Sequence, residues 1–395
     1  MTETIQRLAA RGDGVTESGR HVAMAAPGDV VSADGILQAG PHRAVPPCRH
    51  FPECGGCQLQ HVDDEAYGLF LADRIASALT AQGLLAPDML APHISPPVSR
   101  RRASLHAERR GSHVSLGFNA EASHRIIDMR ECFILRPELF ALVAPMRKLM
   151  GTLLGPRGNG GVRMTLADQG ADILLEKVSL DGLAASEALS DFAQTHSLAR
   201  LAIDDGYGPQ TLWEPEPVTV TLGGVPVSLP HGAFLQATAE GESALVSSVR
   251  EAIGGARIVA DLFAGLGTFA LSLEGRVLAV EGARDASLAL KSAANRAQRQ
   301  VFVDHRDIFR RPLDLKELKR FEAVVLDPPR AGAREQVALL ARSEVPRIAF
   351  VSCNPSTFAR DAKTLADGGY RLDWIKPVGQ FRWSTHVELA ASFSR

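Results

Sequence analysis

Nowhere does this sequence hold the ~20 uninterrupted apolar residues that a membrane-spanning helix needs. Its first residues, Met1-Thr2-Glu3-Thr4-Ile5-Gln6-Arg7, lack the apolar core of a secretion signal. The two absences predict a cytoplasmic protein with no membrane partner. A surplus of positive charge is missing too. The formal net charge is −2, which argues against bulk attraction to nucleic acid and leaves only a local basic surface open. Cysteine is scarce, at five in 395 residues, and unevenly spread: Cys48, Cys54 and Cys57 are bunched, with Cys132 and Cys353 apart. In a reducing compartment such bunching points to a metal site sooner than to disulfides. There is no internal repeat and no low-complexity segment. What remains is ordinary for a globular chain, 45% hydrophobic and 22% charged, and too long for one core, so two or three domains are expected.

Residues 1–44 are rich in Gly, Val and Ala, and Gly28-Asp29-Val30-Val31 reads as a turn entering a strand. Residues 45–62 carry the cysteines among Pro and Gly. Between Asp64 and Leu84 the residues Leu69, Leu71, Ile75 and Leu79 recur at near-helical spacing and predict an amphipathic helix. Residues 95–230 alternate strand-like runs with turns, among them a hairpin at Val218–Val227 around Gly223-Gly224. From about residue 235 the pattern changes. A helix over Glu240–Ile253 precedes apolar strands at Ile258–Asp261, Val277–Glu281, Val301–Val303, Ala323–Asp327 and Arg347–Ser352, with helical runs between. This alternation predicts an α/β fold whose buried parallel sheet is covered by helices. The reading divides the chain into 1–44, 45–230 and 231–395.

Asp261-Leu262-Phe263-Ala264-Gly265-Leu266-Gly267-Thr268-Phe269 lies between an apolar strand and a helical run. Gly265 and Gly267 permit a tight turn and close approach of a ligand to the backbone, and a helix N-terminus there would favour a carboxylate. The plainer alternative is an ordinary strand-to-helix turn. Glu281 ends the next strand, where a carboxylate can accept both hydroxyls of a ribose, and Asp307 follows the third, within reach of an adenine amino group. The pyrophosphate fingerprint G-x-G-x-x-G is absent, because Ala270 stands where its last Gly would be. A nucleoside donor without pyrophosphate fits better than a dinucleotide.

Asp327-Pro328-Pro329-Arg330 follows the fourth strand and Ser352-Cys353-Asn354-Pro355 the fifth. A lone Cys is most often a buried core thiol. Cys353, however, stands at a strand's carboxyl end before a predicted helix (Thr357–Gly368), where the helix dipole favours thiolate. Glu388, in Thr385-His386-Val387-Glu388-Leu389, alternates with apolar neighbours and would point into the site; a solvated strand-edge carboxylate is the alternative. For His386 a hydrogen-bonding role is expected.

In this order these motifs closely resemble the RNA 5-methyluridine methyltransferase family of class I S-adenosylmethionine-dependent enzymes, over nearly the whole chain. The resemblance implies a C-terminal class I (Rossmann-like) methyltransferase domain, a central α/β RNA-binding domain with an iron–sulfur site, and a short OB-like N-terminal β segment. It implies that Cys353 is the nucleophile and Glu388 the base. It further implies that Gln236 (in Phe234-Leu235-Gln236), Phe263, Thr268, Glu281 and Asp327 line the donor or target site, beside Gly265 and Asp307. Many members have Cys where Ala264 stands and Asn where Thr268 stands. Gly379 replaces a common acidic residue before Gln380-Phe381, so no role is assigned there. The chemistry fits: uracil carbon-5 is a poor nucleophile, and thiolate addition at carbon-6 activates it.

The spacing Cys48-x5-Cys54-Gly55-Gly56-Cys57, with Cys132 as a fourth thiolate, suits zinc or an iron–sulfur cluster. Resemblance to the cluster-bearing members implies a [4Fe-4S] centre. Arg100-Arg101-Arg102 and Arg109-Arg110 are a candidate phosphate-binding surface or a solvated face. The expected partner is structured RNA, large-subunit ribosomal RNA ahead of transfer RNA, bound by a monomer. Methylation of a small molecule or DNA is the first competing reading, against which the Arg clusters and extra domains argue. A non-enzymatic iron–sulfur or zinc RNA-binding module is the second, against which the donor loop and strand-end Cys argue.

Overall fold

A computed structural model describes residues 2–178 and 182–395. Met1, part of the N-terminal stretch considered above, and residues 179–181, within the 45–230 segment, lie outside the described residues. Contacts gather the chain into two units: one runs up to Asp63 and adds Pro96–Val220 and Arg382–Thr385, and the other holds Asp64–Ser95, Thr221–Phe381 and His386–Arg395. Among the described residues no helix is long and apolar enough to cross a membrane.

The first unit opens with five short antiparallel strands, with Glu3–Leu8 at the centre. Ile5, Ala25 and Val31 form their small core. Gly28 turns the chain at φ 85° into the strand Val30–Ser32, as its sequence suggests. The buried Asp29 ties the turn down by accepting from Ala26 N and Gly40 N, both at 2.7 Å, and from Arg43. The larger part is a six-stranded sheet, with Arg102–Arg110 and Asn159–Ala167 near one edge and Gly170–Glu176 and Arg200–Asp204 paired in parallel. Helix Val143–Leu153 turns Val143, Met146, Leu149 and Met150 to one side, onto Leu105, Leu116, Val162 and Met164 of the sheet.

In the second unit the strands of the main sheet are numbered β1 (Ile258–Leu262), β2 (Arg276–Glu281), β3 (Val301–His305), β4 (Ala323–Leu326), β5 (Arg347–Ser352), β6 (Arg371–Gly379) and β7 (Glu388–Ser394). Their spatial order is 3-2-1-4-5-7-6, with β1–β5 parallel and β7 antiparallel to both neighbours. Strands β4 and β5 bury nearly every residue, as apolar runs in a parallel sheet do. Helices α1 (Ala239–Ile253), α2 (Arg284–Arg296), α3 (Leu315–Leu318), α4 (Arg334–Leu340) and α5 (Pro355–Asp367) complete the alternation. Ahead of the sheet, helix Asp64–Ala81 buries Tyr67, Leu71, Ile75 and Leu79. Leu69, expected on that face, points to solvent at 58% exposure, because the buried stripe advances by four residues from Tyr67. The hairpin forms between Thr219–Leu222 and Val225–Ser228, with Gly223 and Gly224 both at positive φ as a tight hairpin turn requires.

Residues 64–95 were read from the sequence as part of the 45–230 segment, yet they group with the sheet. The reason lies in helix Asp64–Ala81, which packs on α5 and β6, and in Asp88–Met89 and His93–Ile94, which pair in parallel with the outer strand β6. Two-residue strands have no periodicity to reveal them.

Candidate active site

The loop after β1 is built under constraint. Phe263 adopts φ 66°, a left-handed conformation disfavoured outside glycine, while its N–H and that of Ala264 share the Val280 carbonyl of β2 at 3.0 and 3.1 Å. Gly267, at φ 96°, has no room for a side chain: a Cβ would lie 2.4 Å from Leu290 Cδ1. Gly265, at φ 55°, faces open space, so its requirement is conformational. The helix expected behind the loop is instead a run of hydrogen-bonded turns through Leu273. No helix stands between Gly267 and β2, so the helix-dipole argument does not apply to this loop.

Glu281, at the end of β2, accepts Gly265 N–H at 2.8 Å on one oxygen and Ala283 N–H at 2.6 Å on the other. Its carboxylate retains lone pairs for further donors. Asp307, exposed beyond β3, accepts Phe309 N–H at 3.0 Å and pairs with Arg310 at 3.4 Å. The Phe309 ring meets the Phe263 ring at 5.4 Å between centroids, making an aromatic wall at the strand ends. Thr268 takes the Ser272 hydroxyl on its carbonyl at 2.7 Å. Beneath them Asp261 is fully buried and accepts Ala270 N–H at 2.8 Å, while its Oδ1 has no partner. Burial, then the charges of Asp327 and Glu281, pushes its carboxyl up to about 8. Asp327 is reached by solvent at its edge but otherwise enclosed, and burial raises it to about 7.

Cys353 occupies the turn between β5 and α5. Asn354 caps α5 by accepting Ser356 N–H at 3.1 Å, with Pro355 in the first turn. The side chains of Asn354 and Thr357 both donate to the Arg330 carbonyl, at 3.0 and 3.1 Å. The Pro-Pro loop after β4 is thereby clasped to the cysteine turn. The dipole of α5 was expected to favour thiolate. Instead burial, then the charges of Glu388 and Asp327, raises the Cys353 thiol above its ordinary value, and Arg330 pulls the other way. Two carboxylates and desolvation outweigh one helix end and one exposed guanidinium. His386 is exposed and faces Arg330, with Nδ1 2.9 Å from the guanidinium.

Glu388 is 6% exposed. It opens β7, which lies between β5 and β6, so it is no strand-edge carboxylate. Gln380 donates to it and also to Gln236 Oε1, at 2.7 Å. Gln380 thus joins two expected site residues, although no role was expected for it. A polar residue at the end of the buried run Val378-Gly379 was the one available signal.

The cysteine cluster belongs to the other unit. Cys48, Cys54, Cys57 and Cys132 line one cavity with Phe51 and Phe118, and all are free thiols. Backbone N–H groups of His50 and Phe51 reach Cys48, that of Gly56 reaches Cys54, and those of Ile134 and Leu135 reach Cys132. Burial pushes every one of these thiols up, Cys57 to about 12, and their mutual charges add to it. Among the described residues no three His, Cys, Asp or Glu side chains converge closely enough to hold one metal ion. The arginine clusters are partly committed inside the fold. Arg100 lies over the Phe118 ring, and Arg109 donates to the carbonyls of Gly111, Gly151 and Leu154. Arg110 pairs with Glu108 on the surface.

The 3-2-1-4-5-7-6 sheet, with its loop residues gathered at the carboxyl ends, defines a class I methyltransferase fold. The family model described as tRNA (Uracil-5-)-methyltransferase matches residues 228–395. An uncharacterized RNA methyltransferase of Zymomonas mobilis is 54% identical over 99% of both chains. The 23S rRNA (uracil(1939)-C(5))-methyltransferase RlmD of Chromohalobacter salexigens is 32% identical over 89% of this chain and 76% of its own. The tRNA (uracil-54, C5)-methyltransferase of Pyrococcus abyssi, solved with S-adenosyl-L-homocysteine, shares the fold over 100% of both chains, with a TM-score of 0.77 at 22% identity. The chain belongs to the RNA uracil-5 methyltransferase family and is an enzyme of that class.

Proposed function

We propose that this protein methylates carbon-5 of a uridine in structured RNA, through a covalent bond between Cys353 and the uracil, with S-adenosylmethionine as donor. The observation that carries the reading is the grouping of Cys353 with Glu388, Asp327 and Arg330 at the strand ends, beside the loop that Glu281 holds. Cys353, as thiolate, adds to carbon-6; carbon-5 of the resulting enolate takes the methyl group from the donor's sulfonium. Glu388 removes the carbon-5 proton, and the thiolate leaves. The target base must be out of its stack to meet the thiol. Glu281 is assigned to the donor ribose and Asp307 to its adenine, with Gln236, Phe263, Gly265, Thr268 and Asp327 lining the donor or target site. Because the thiol is raised, covalent addition should speed up as pH rises from 7 to 9.

Cys48, Cys54, Cys57 and Cys132 are assigned to one [4Fe-4S] cluster. The shared cavity and the N–H groups directed at the sulfurs support this. Its part is structural, since methyl transfer moves no electrons. The N-terminal five-stranded sheet is read as an OB-like RNA-binding segment. Large-subunit ribosomal RNA is favoured over transfer RNA because the relative named for 23S rRNA is the more similar in sequence, at 32% against 22%.

The test separates nucleophile from base. Cys353→Ala should form no covalent enzyme–RNA species. Glu388→Gln should add and methylate but not eliminate, and so accumulate an adduct that survives denaturing electrophoresis. Methylation by Cys353→Ala would end the covalent mechanism, and normal turnover by Glu388→Gln would end the assignment of the base.

A further inference from the structure

We infer that Gln380 is a positioning residue of the reaction: its amide fixes the Glu388 carboxylate and the Gln236 amide against each other. The inference deepens the reading above and rests on Glu388 as the base. Gln380 follows β6 by one residue and is 2% exposed. The N–H of Ala237, which can only donate, lies 2.7 Å from one end of the Gln380 amide, and so identifies that end as the oxygen. The NH2 group must then face the other way. There it donates to Gln236 Oε1, 2.7 Å from the nitrogen, and to Glu388 Oε2. Every strong hydrogen-bonding direction of the nitrogen is used. Both partners are constrained in turn: Gln236 presents its oxygen to Gln380 and its own NH2 elsewhere, and Glu388 is held by Oε2.

Packing keeps Gln380 in this pose. Helix α1 approaches so closely that a Cβ on Gly241 would lie 2.7 Å from Gln380 Cβ. The capping threonine at the same helix end, Thr238, accepts Gly241 N–H at 3.0 Å. The side chain therefore sits between a fixed helix terminus and the strand that carries Glu388. A buried carboxylate needs a hydrogen-bond donor, and for Glu388 the neutral Gln380 amide supplies one.

The test uses the full chain with RNA from a strain lacking the gene. Gln380→Met conserves volume but removes both donors. Its turnover should fall ~10–100-fold, a part of what a general base contributes, with KM for RNA unchanged. The methylated adduct should build up during turnover while its rate of formation stays at the wild-type value. Gln380→Glu keeps an acceptor for Ala237 N–H but sets a second carboxylate against Glu388, and should lose turnover further. If Gln380→Met does not melt cooperatively, Gln380→Glu alone is read, by the same adduct and turnover measurements. Turnover within about twofold of wild type, or adduct formation that slows in step with turnover, overturns the inference. Glu388→Gln is run alongside: if it accumulates adduct while Gln380→Met behaves as wild type, Gln380 alone is wrong. If Glu388→Gln turns over normally, the base assignment falls and Gln380's role falls with it.

Discussion

Glu281 has work to do before any donor arrives, since it closes the loop after β1 onto the end of β2 through Gly265 N–H and Ala283 N–H. Glu281→Ala should therefore weaken binding of S-adenosylhomocysteine in calorimetry, lower the melting temperature, and leave RNA affinity intact; unchanged donor affinity would remove Glu281 from the site. Asp261 offers a pH test. Its folded pKa, about 8, lies above the unfolded value of 3.8, so the folded state holds a proton that the unfolded state has released. Stability contributed at low pH is lost between about pH 4 and pH 8. Asp261→Asn mimics the protonated acid, so its melting temperature relative to wild type should climb across that window. A constant difference from pH 5 to pH 8 would mean that Asp261 is ionised in the fold. Residues such as Cys353 and Glu388 were legible because each stands in a dense motif. Gln380 was not, because its significance arises from Gln236, 144 positions away, and no local pattern encodes that pairing.

At the scale of elements, apolar runs marked β1–β5 well; β1, β4 and β5 are buried parallel strands, which leave few alternatives, and the edge strand β3 is not buried. The stretch after Gly267 was read as helical from its composition, but the chain makes only turns there before β2 begins. The basic clusters were only partly legible for a related reason: sequence shows charge but not whether backbone carbonyls already hold it. Arg109 spans the carbonyls of Gly151 and Leu154 at the end of helix Val143–Leu153. Arg109→Met should cost about 1.5–3 kcal/mol of stability, the loss of charge-assisted hydrogen bonds, and leave the salt dependence of RNA binding as it was. A flattened salt slope would show that Arg109 touches phosphate after all. For the cysteine loop, anaerobically purified protein should carry about four irons with matching sulfide, and stoichiometric zinc without iron would reject the cluster.

For the whole molecule, the chain's division between units was the least legible feature. Segment breaks near Asp63/Asp64 and Ser95/Pro96, where the chain passes from one unit to the other, are visible in the sequence; that Asp64–Ser95 packs on the distant α5 and β6 is not. The RNA target is equally remote from local sequence. Net charge is −2, so affinity cannot come from a globally basic surface, and selection must rest on shape and on presentation of an unstacked uridine. Ribosomal and transfer RNA both offer such sites. Nucleoside mass spectrometry of separated ribosomal and transfer RNA from a deletion strain decides between them. We expect one 5-methyluridine to vanish from 23S rRNA, to return with the wild-type gene and not with Cys353→Ala, and transfer RNA to be unchanged. Loss from transfer RNA alone would reassign the substrate while keeping the chemistry. Retention in both pools would show that neither is the target in the cell.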